Sequence, residues 1–115
     1  MKIQLLNSIS PIIYEELPEH YEVGEEIAEP DAILVRSADM HAMELPAELK
    51  AIGRAGAGTN NIPVEKCAEA GIVVFNTPGA NANAVRELVI AGLLLSGRDI
   101  IGGIQWAYGL KGQGA

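Results

Sequence analysis

The chain contains 115 residues, of which 49% are hydrophobic, so it is long enough for one modest core and too apolar to be disordered. Its formal net charge of −7 disfavours a nucleic acid or an anionic membrane surface as a partner. Its single cysteine, Cys67, excludes an internal disulfide and favours a reducing, cytoplasmic environment. We expect no secretory leader, because Met1 runs directly into a strand pattern.

Short apolar segments predict five β-strands in this chain. They are expected at residues 2–6, 21–23, 32–35, 50–54 and 72–75. The third is apolar throughout, which is typical of strands covered on both faces of a sheet, and the fifth is equally apolar. Short connections with helical segments between the strands indicate a parallel sheet with right-handed crossovers, in an α/β domain with helices on both faces.

Helical segments are predicted between these strands and after the last one. They are expected at residues 11–17, 43–49, 64–70 and from Asn81 or Asn83 to about Trp106 or Tyr108. Gly71 is placed to end the third helix at its C′ position. We therefore expect a domain at residues 1–80, a long helix at 81–108 and a flexible glycine-rich tail at 109–115.

The last predicted helix is apolar around nearly its whole circumference. A helix of this kind is normally buried on more than one side, and a single small sheet cannot cover it. We expect another domain or a second copy of the chain against it, as in a homodimer. A bent helix that folds back on the sheet is the alternative.

A glycine-rich turn follows the fourth strand, in the sequence K-A-I-G-R-A-G-A-G-T-N-N-I-P of residues 50–63. Its glycines are spaced G-x-x-G-x-G, so it is neither a P-loop nor a G-x-G-x-x-G dinucleotide motif. We expect these glycines to take positive φ, with Thr59, Asn60 or Asn61 capping the next helix. Free N–H groups in the turn and at the helix N-terminus would then favour an anion. A turn whose glycines serve geometry alone explains the sequence equally well.

Polar residues follow several predicted strands, at the sheet edge where ligands of parallel α/β sheets bind. Arg36 and Ser37 follow the third strand, where a guanidinium can clamp a carboxylate or phosphate through two hydrogen bonds. The alternative for Arg36 is an ion pair with Asp39 or a nearby glutamate. Arg54, at the end of the fourth strand, is the second candidate anion contact, and a salt bridge between elements explains its position equally well. Asn81 either contacts a ligand or caps the last helix.

The sequence predicts no metal site and no catalytic residue. His20 and His41 have no companions at metal-ligand spacing. Glu87 has no visible partner base for acid–base chemistry. Cys67 lies on the inner face of a predicted helix, where a buried and inert thiol is expected.

Three motifs resemble the D-isomer-specific 2-hydroxyacid dehydrogenases. They are I-L-V-R-S-A at residues 33–38, I-G-R-A-G-A-G-T-N-N-I at 52–62 and G-I-V-V-F-N-T-P-G-A-N-A-N-A-V-R-E-L at 71–88. They occur in the family's order and spacing and cover nearly the whole chain. Within the family they are most similar to members that oxidise 3-phosphoglycerate in serine biosynthesis.

The resemblance implies a particular fold and particular site residues. In that family a flavodoxin-like substrate domain is interrupted by a Rossmann domain that binds NAD, and this chain resembles only the first part of the former and the helix leading out of it. By resemblance, Arg36 and Ser37 contact the substrate phosphate or carboxylate, and Asn81 lines the cleft. The backbone of Gly56 and Ala57 lies beside the substrate and nicotinamide. Ala57 replaces a threonine of some relatives, so its contact is through the backbone N–H.

The resemblance also implies what this sequence lacks. The family's G-x-G-x-x-G motif, its ribose-binding acidic residue and its catalytic Arg, Glu and His lie downstream of the matched motifs. We therefore expect NAD to bind the parent enzyme but not this chain tightly, and the chain alone to be inactive. The alternatives are a self-standing anion-binding or oligomerisation module without catalysis, and a flavin binder, which the 4% aromatic content disfavours.

Overall fold

A five-stranded parallel sheet forms the centre of the first part of the chain, in a computed structural model that describes residues 1–114. Its strands are β1 (Lys2–Leu6), β2 (Glu22–Gly24), β3 (Ala32–Val35), β4 (Ala51–Arg54) and β5 (Val73–Phe75). They pair in the order β2-β1-β3-β4-β5, which is the order of flavodoxin-like sheets, so the predicted fold class is confirmed. The crossovers diverge between β1 and β3, and the carboxyl ends of these strands therefore flank the expected ligand position.

Four helices accompany the sheet: α1 (Ile13–Glu16), α2 (Val64–Glu69), α3 (Ala82–Gly97) and α4 (Ile100–Gly109). The helix predicted at residues 43–49 was wrong, because residues 40–49 form two isolated turns instead. One is closed by Met43 N–H donating to the Met40 carbonyl, and the other by Leu49 N–H donating to the Pro46 carbonyl. Pro46 lacks an N–H and disfavours helical φ and ψ in the preceding residue, so no continuous helix crosses it.

One face of the sheet carries the main core. Ile33 and Ile52 are paired in register and fully buried, and Cys67 of α2 packs with them. The whole cluster comprises Ile33, Val35, Met40, Leu49, Ile52, Ile62, Cys67 and Ile72. Each large aliphatic side chain buried in this way contributes about 1.5–3 kcal/mol. This face therefore anchors the strands whose ends form the candidate site.

The opposite face is covered less completely. Leu34, Gly53 and Phe75 lie in register there, and with Ile13 of α1 they line a cleft of about 220 Å³. Ile13 of α1 lies on this face, whereas Cys67 of α2 packs in the main core on the other, so helices accompany both faces of the sheet, as predicted. However, α1 has only four residues, and Phe75 at the sheet edge is 61% exposed.

The residues from Asn81 onward form a second compact unit that contains α3 and α4. Where the sequence predicts one continuous helix, the chain leaves the helix after Gly97. Asp99 adopts left-handed backbone angles with φ of 46°, and its carboxylate accepts a hydrogen bond of 3.3 Å from the Gly102 N–H. Aspartate tolerates this conformation and is a good N-cap, so a second helix begins there.

Neither α3 nor α4 buries any residue. Among residues 1–114, no helix has both the length and the hydropathy of a membrane-spanning segment. The predicted tail begins at Gly109, which belongs to α4, and its last residue, Ala115, lies outside the described residues.

Candidate functional site

The carboxyl edge of the sheet holds four of the five predicted site residues. Arg36 and Ser37 directly follow β3, while Gly56 and Ala57 lie in the turn after the neighbouring strand β4. The fifth, Asn81, precedes α3 in the second unit, and its side chain makes no capping hydrogen bond.

The glycine turn after β4 is held by the turn that follows β5. Thr77 donates its backbone N–H to the Gly56 carbonyl at 3.0 Å, and its hydroxyl donates to the Arg54 carbonyl at 3.4 Å. Asn76 donates its side-chain amide to the Ala57 carbonyl at 2.7 Å. Because these bonds hold the carbonyl groups, the turn has a defined backbone conformation that does not depend on a ligand.

Two N–H groups of the glycine turn remain available to a ligand. The Gly56 N–H donates to the Arg54 carbonyl at 2.9 Å and is therefore occupied. The N–H groups of Ala57 and Gly58 donate to no acceptor within residues 1–114. A contact to a ligand through the backbone N–H of Ala57 stays a prediction, and this N–H has no competing acceptor within residues 1–114.

The glycines of this turn serve a purpose other than the predicted one. Neither Gly56 nor Gly58 has positive φ, so that prediction was wrong. Instead, a β-carbon built on Gly56 would lie 2.5 Å from Nη1 of Arg54, well inside van der Waals contact. One built on Gly58 would lie 3.1 Å from Oδ1 of Asn60. Glycine at position 56 lets the Arg54 guanidinium pack against its α-carbon, and a larger residue would displace the guanidinium.

Arg54 is therefore more closely associated with the turn than its position in the sequence suggested. Its side chain is half-buried, and its Nε is buried without an acceptor within residues 1–114. A guanidinium with an unsatisfied donor is a costly arrangement unless a hydrogen-bond acceptor binds nearby. The only signal in the sequence was an arginine at a strand end followed by glycines.

Arg36 is exposed and does not form the ion pair that was its alternative explanation. The Asp39 carboxylate instead accepts a hydrogen bond of 3.0 Å from the His41 N–H. Within residues 1–114, the ion pair that forms joins Lys50 to Asp31, at the opposite edge of the sheet. The Arg36 guanidinium is consequently open to an anion from solution.

Asn7 was missed as a site residue, although it directly follows the central strand β1. Its Oδ1 accepts hydrogen bonds from the backbone N–H groups of Arg36 at 3.2 Å and Ser37 at 3.3 Å. Its Nδ2 donates to Oγ of Ser37 at 2.6 Å. The ends of β1 and β3 are thus joined through one side chain, at the point where the crossovers diverge.

The capping prediction for α2 was wrong. Pro63 occupies the N-cap position, and no side chain caps the helix. Asn61 instead donates a hydrogen bond from its side-chain amide to the Ala38 carbonyl at 2.8 Å. Its backbone carbonyl accepts a hydrogen bond from the Met40 N–H at 2.9 Å. Asn61 thereby fixes the far end of the glycine turn to the β3–β4 connection. Because α2 has only six residues, its N-terminus does not by itself form an anion site. Anion binding here therefore depends on the glycine turn and on Arg36 and Arg54.

Three titratable groups outside the site, Cys67, Asp31 and Lys50, have altered pKa values, and the hydrogen bond to Asp31 raises the pKa of Lys50. Burial raises the pKa of the Cys67 thiol, which keeps it neutral and unreactive. Hydrogen bonds from the Lys50 ammonium and the Lys2 N–H lower the pKa of Asp31. Residues 1–114 contain no group of three or more His, Cys, Asp or Glu side chains arranged to hold a metal ion.

Comparison with known proteins gives consistent matches. The family model described as D-isomer specific 2-hydroxyacid dehydrogenase, catalytic domain, matches residues 1–110. A hydroxypyruvate reductase of Thermotoga maritima is 40% identical over 99 residues, which are 84% of this chain and 32% of that protein. A D-3-phosphoglycerate dehydrogenase of Methanocaldococcus jannaschii is 40% identical over 82 residues, which are 69% of this chain and 16% of that protein.

A solved structure supports the same conclusion. The crystal structure of NAD+-bound 3-phosphoglycerate dehydrogenase from Entamoeba histolytica superposes with a TM-score of 0.65 at 29% identity, covering 83% of this chain and 38% of that one. The chain spans 32% of the Thermotoga relative and 16% of the Methanocaldococcus relative, about a third or less of each.

Proposed function

Because the chain belongs to the D-isomer specific 2-hydroxyacid dehydrogenase family, we propose that it is the N-terminal part of the substrate-binding domain of an NAD-dependent D-3-phosphoglycerate dehydrogenase. Such an enzyme oxidises 3-phosphoglycerate to 3-phosphohydroxypyruvate. The observation that carries this proposal is the pair Arg36 and Arg54, which extend the adjacent strands β3 and β4. Neither has a carboxylate partner within residues 1–114. Two unpaired guanidinium groups suit a substrate that carries both a phosphate and a carboxylate.

Each site residue has a distinct part in binding the substrate. Arg36 clamps an anionic group through two parallel N–H donors, and Ser37 adds a hydroxyl donor beside it. Arg54 contributes positive charge beside the glycine turn, and the Ala57 N–H, which has no acceptor within residues 1–114, donates to the same ligand. None of these groups transfers the substrate proton or hydride, so their role is binding and orientation.

The cofactor would be NAD, which accepts a hydride in this reaction. The residues present fit one contact with it, the Ala57 N–H, which has no acceptor within residues 1–114. The sequence contains no G-x-G-x-x-G motif to hold its pyrophosphate. We therefore expect weak cofactor binding and no catalysis by this chain alone. Measurable NADH oxidation by the pure chain with 3-phosphohydroxypyruvate would overturn the claim of inactivity.

Titration of the 15N-labelled chain with 3-phosphoglycerate tests the binding role by NMR. Shifts are expected at Arg36, Ser37 and Ala57, and Arg36→Ala should weaken binding about tenfold or more, because a charge-assisted hydrogen bond is worth about 1.5–3 kcal/mol. Arg98→Ala, in the second unit, is the matched control because it removes the same charge. A well-dispersed spectrum without localised shifts, or equal affinity in Arg36→Ala, would contradict the proposal.

A second candidate substrate has support from the similarity to hydroxypyruvate reductase, which covers a larger share of this chain than the phosphoglycerate dehydrogenase match. The two substrate classes differ by a phosphate group. A parallel titration with D-glycerate separates them, because a site for the phosphorylated acid should lose most of its affinity when one anionic group is removed. Equal affinity for both compounds would favour the reductase.

The helices α3 and α4 are proposed to bind the NAD-binding domain and a second copy of the chain. They bury none of their residues, and their exposed apolar side chains include Leu88, which is 75% exposed. Such a surface is stable in water only when another apolar surface covers it. Light scattering should show a dimer that Leu88→Asp dissociates. A monomer at high concentration would contradict the homodimer.

The alternative from a different functional class is a self-standing anion-binding or oligomerisation module with no catalysis. The reading frame after Ala115 discriminates between the two. A G-x-G-x-x-G motif encoded there supports the dehydrogenase, whereas a native stop codon supports the module.

A further inference from the structure

The geometry points to Asn7 as a positioning residue that holds the Ser37 hydroxyl ready to donate a hydrogen bond to the anionic group of the substrate. This inference rests on the proposed function, because it specifies how one of the anion contacts is oriented. It depends on three hydrogen bonds of one side chain and on the chemistry of its amide.

The amide orientation of Asn7 follows from its partners. Two backbone N–H groups, those of Arg36 and Ser37, converge on one atom of the Asn7 amide. That atom must be the carbonyl oxygen, because an NH2 group facing two N–H donors would be repelled. The amide nitrogen Nδ2 is then the atom that lies 2.6 Å from Oγ of Ser37, to which it donates a hydrogen bond.

This orientation determines what the Ser37 hydroxyl can do. Its oxygen accepts a hydrogen from Asn7, so its own hydrogen must point away from the amide. Within residues 1–114 that hydrogen has no acceptor, and Ser37 is exposed at the carboxyl edge of the sheet beside Arg36. The hydroxyl is therefore a donor that is oriented before any ligand arrives. An anion is the ligand that such a donor favours.

The same bonds determine what the backbone near Ser37 cannot do. The N–H groups of Arg36 and Ser37 are occupied by Asn7, so they are not available to a ligand. After β3 a ligand can therefore be bound only by the side chains of Arg36 and Ser37. After β4 the free N–H groups of the glycine turn are also available to the ligand. Loss of Asn7 would release both N–H groups and let the hydroxyl rotate.

Asn7→Gly is the informative substitution because Asn7 has a φ of 57°, which glycine adopts without strain. It removes the three hydrogen bonds and leaves the backbone conformation accessible. Glu29→Gly is the matched control, since Glu29 also has positive φ, at 52°, and precedes β3 at the opposite edge of the sheet. Both variants change an exposed left-handed residue to glycine.

Two measurements on the 115-residue chain test the role of Asn7. Amide hydrogen exchange at Arg36 and Ser37 needs no ligand, and it should accelerate in Asn7→Gly but not in Glu29→Gly. NMR titration with 3-phosphoglycerate should show about three- to tenfold weaker binding by Asn7→Gly, since a hydrogen bond to a charged group becomes less well oriented. Titration with inorganic phosphate should show the same direction of change.

A double-mutant cycle separates positioning from a general structural effect. If Asn7 acts through the Ser37 hydroxyl, then Asn7→Gly should change the affinity less than about twofold in a Ser37→Ala background. Additive losses would overturn the inference, as would unchanged exchange or unchanged affinity in Asn7→Gly. If the wild-type chain binds 3-phosphoglycerate but Asn7→Gly binds it equally, only this inference fails. If the wild-type chain does not bind, the proposed function fails and this inference fails with it.

Discussion

The Arg54 guanidinium packs against the α-carbon of Gly56, so that a β-carbon at position 56 would lie 2.5 Å from Nη1. The atom in conflict is the far end of a flexible side chain, which can move away at low cost. Such a substitution therefore affects the position of Arg54 more than it affects the fold.

Gly56→Ala should weaken 3-phosphoglycerate binding about tenfold while changing the free energy of unfolding by less than about 1 kcal/mol. The physical reason is that the methyl group displaces a guanidinium from the anion site. Gly58→Ala is the control, because a β-carbon there would lie 3.6 Å from the same nitrogen. NMR titration and urea denaturation measure the two quantities. A large loss of stability with normal affinity would show that Gly56 serves the fold alone.

Ile52→Ala should lower the free energy of unfolding of the first unit by about 2–5 kcal/mol, because Ile52 is fully buried in the main core. Val73→Ala, on the edge strand, should cost less than about 1 kcal/mol because Val73 is 53% exposed. Urea denaturation followed by circular dichroism measures both, since the single tryptophan, Trp106, lies in the second unit. Similar costs for the two variants would contradict the assignment of the core to one face.

Asp31→Asn should destabilise the chain near neutral pH and have little effect in strong acid. Asp31 has a lowered pKa in the folded state, owing to hydrogen bonds from Lys50 and Lys2. A lowered folded-state pKa contributes stability above the unfolded pKa of about 4, and the contribution is lost as the pH falls through the folded value. Urea midpoints of wild type and Asp31→Asn should therefore converge as the pH falls below the lowered folded-state pKa of Asp31. A constant difference down to the lowest pH would contradict the linkage.

Cys67 should react with a thiol reagent only when the chain opens. It is fully buried, and burial raises the pKa of its thiol, so little thiolate is present at neutral pH. Labelling in native buffer should be slow and should accelerate with urea. Lys66→Cys in a Cys67→Ala background provides an exposed comparison on the same helix. Equally fast labelling of both would contradict the buried position.

Regular features of the fold were predictable from local sequence. β3 was placed at residues 32–35 because four consecutive apolar residues end at a charged one, and the structure has the same bounds. Gly71 was predicted to end α2 because only a residue that accepts positive φ fits there, and its φ is 73°. These predictions depend on neighbours in the chain, so one sequence contains the necessary information.

Side-chain and backbone conformations within loops, and contacts between distant residues, were not predictable. Nothing near Gly56 in the sequence reveals that the side chain of Arg54 turns back onto it. The interruption before α4 depends on Asp99 taking a left-handed conformation that its apolar neighbours do not indicate. Asn7 bonds with residues about 30 positions further along the chain, and those become neighbours only after β1 pairs with β3.

The start of the chain lies within the sheet, at the edge opposite the candidate site. The Met1 carbonyl accepts a hydrogen bond of 3.0 Å from the Glu22 N–H, and the Lys2 N–H donates to Asp31 at 2.9 Å. β1 then extends five residues at about 3.3 Å per residue before it reaches Asn7. A fluorophore or affinity handle attached at Met1 would thus sit about 15 Å or more from the anion-binding groups. Immobilising the chain by that end leaves the arginines facing the solution, which suits surface-based binding assays.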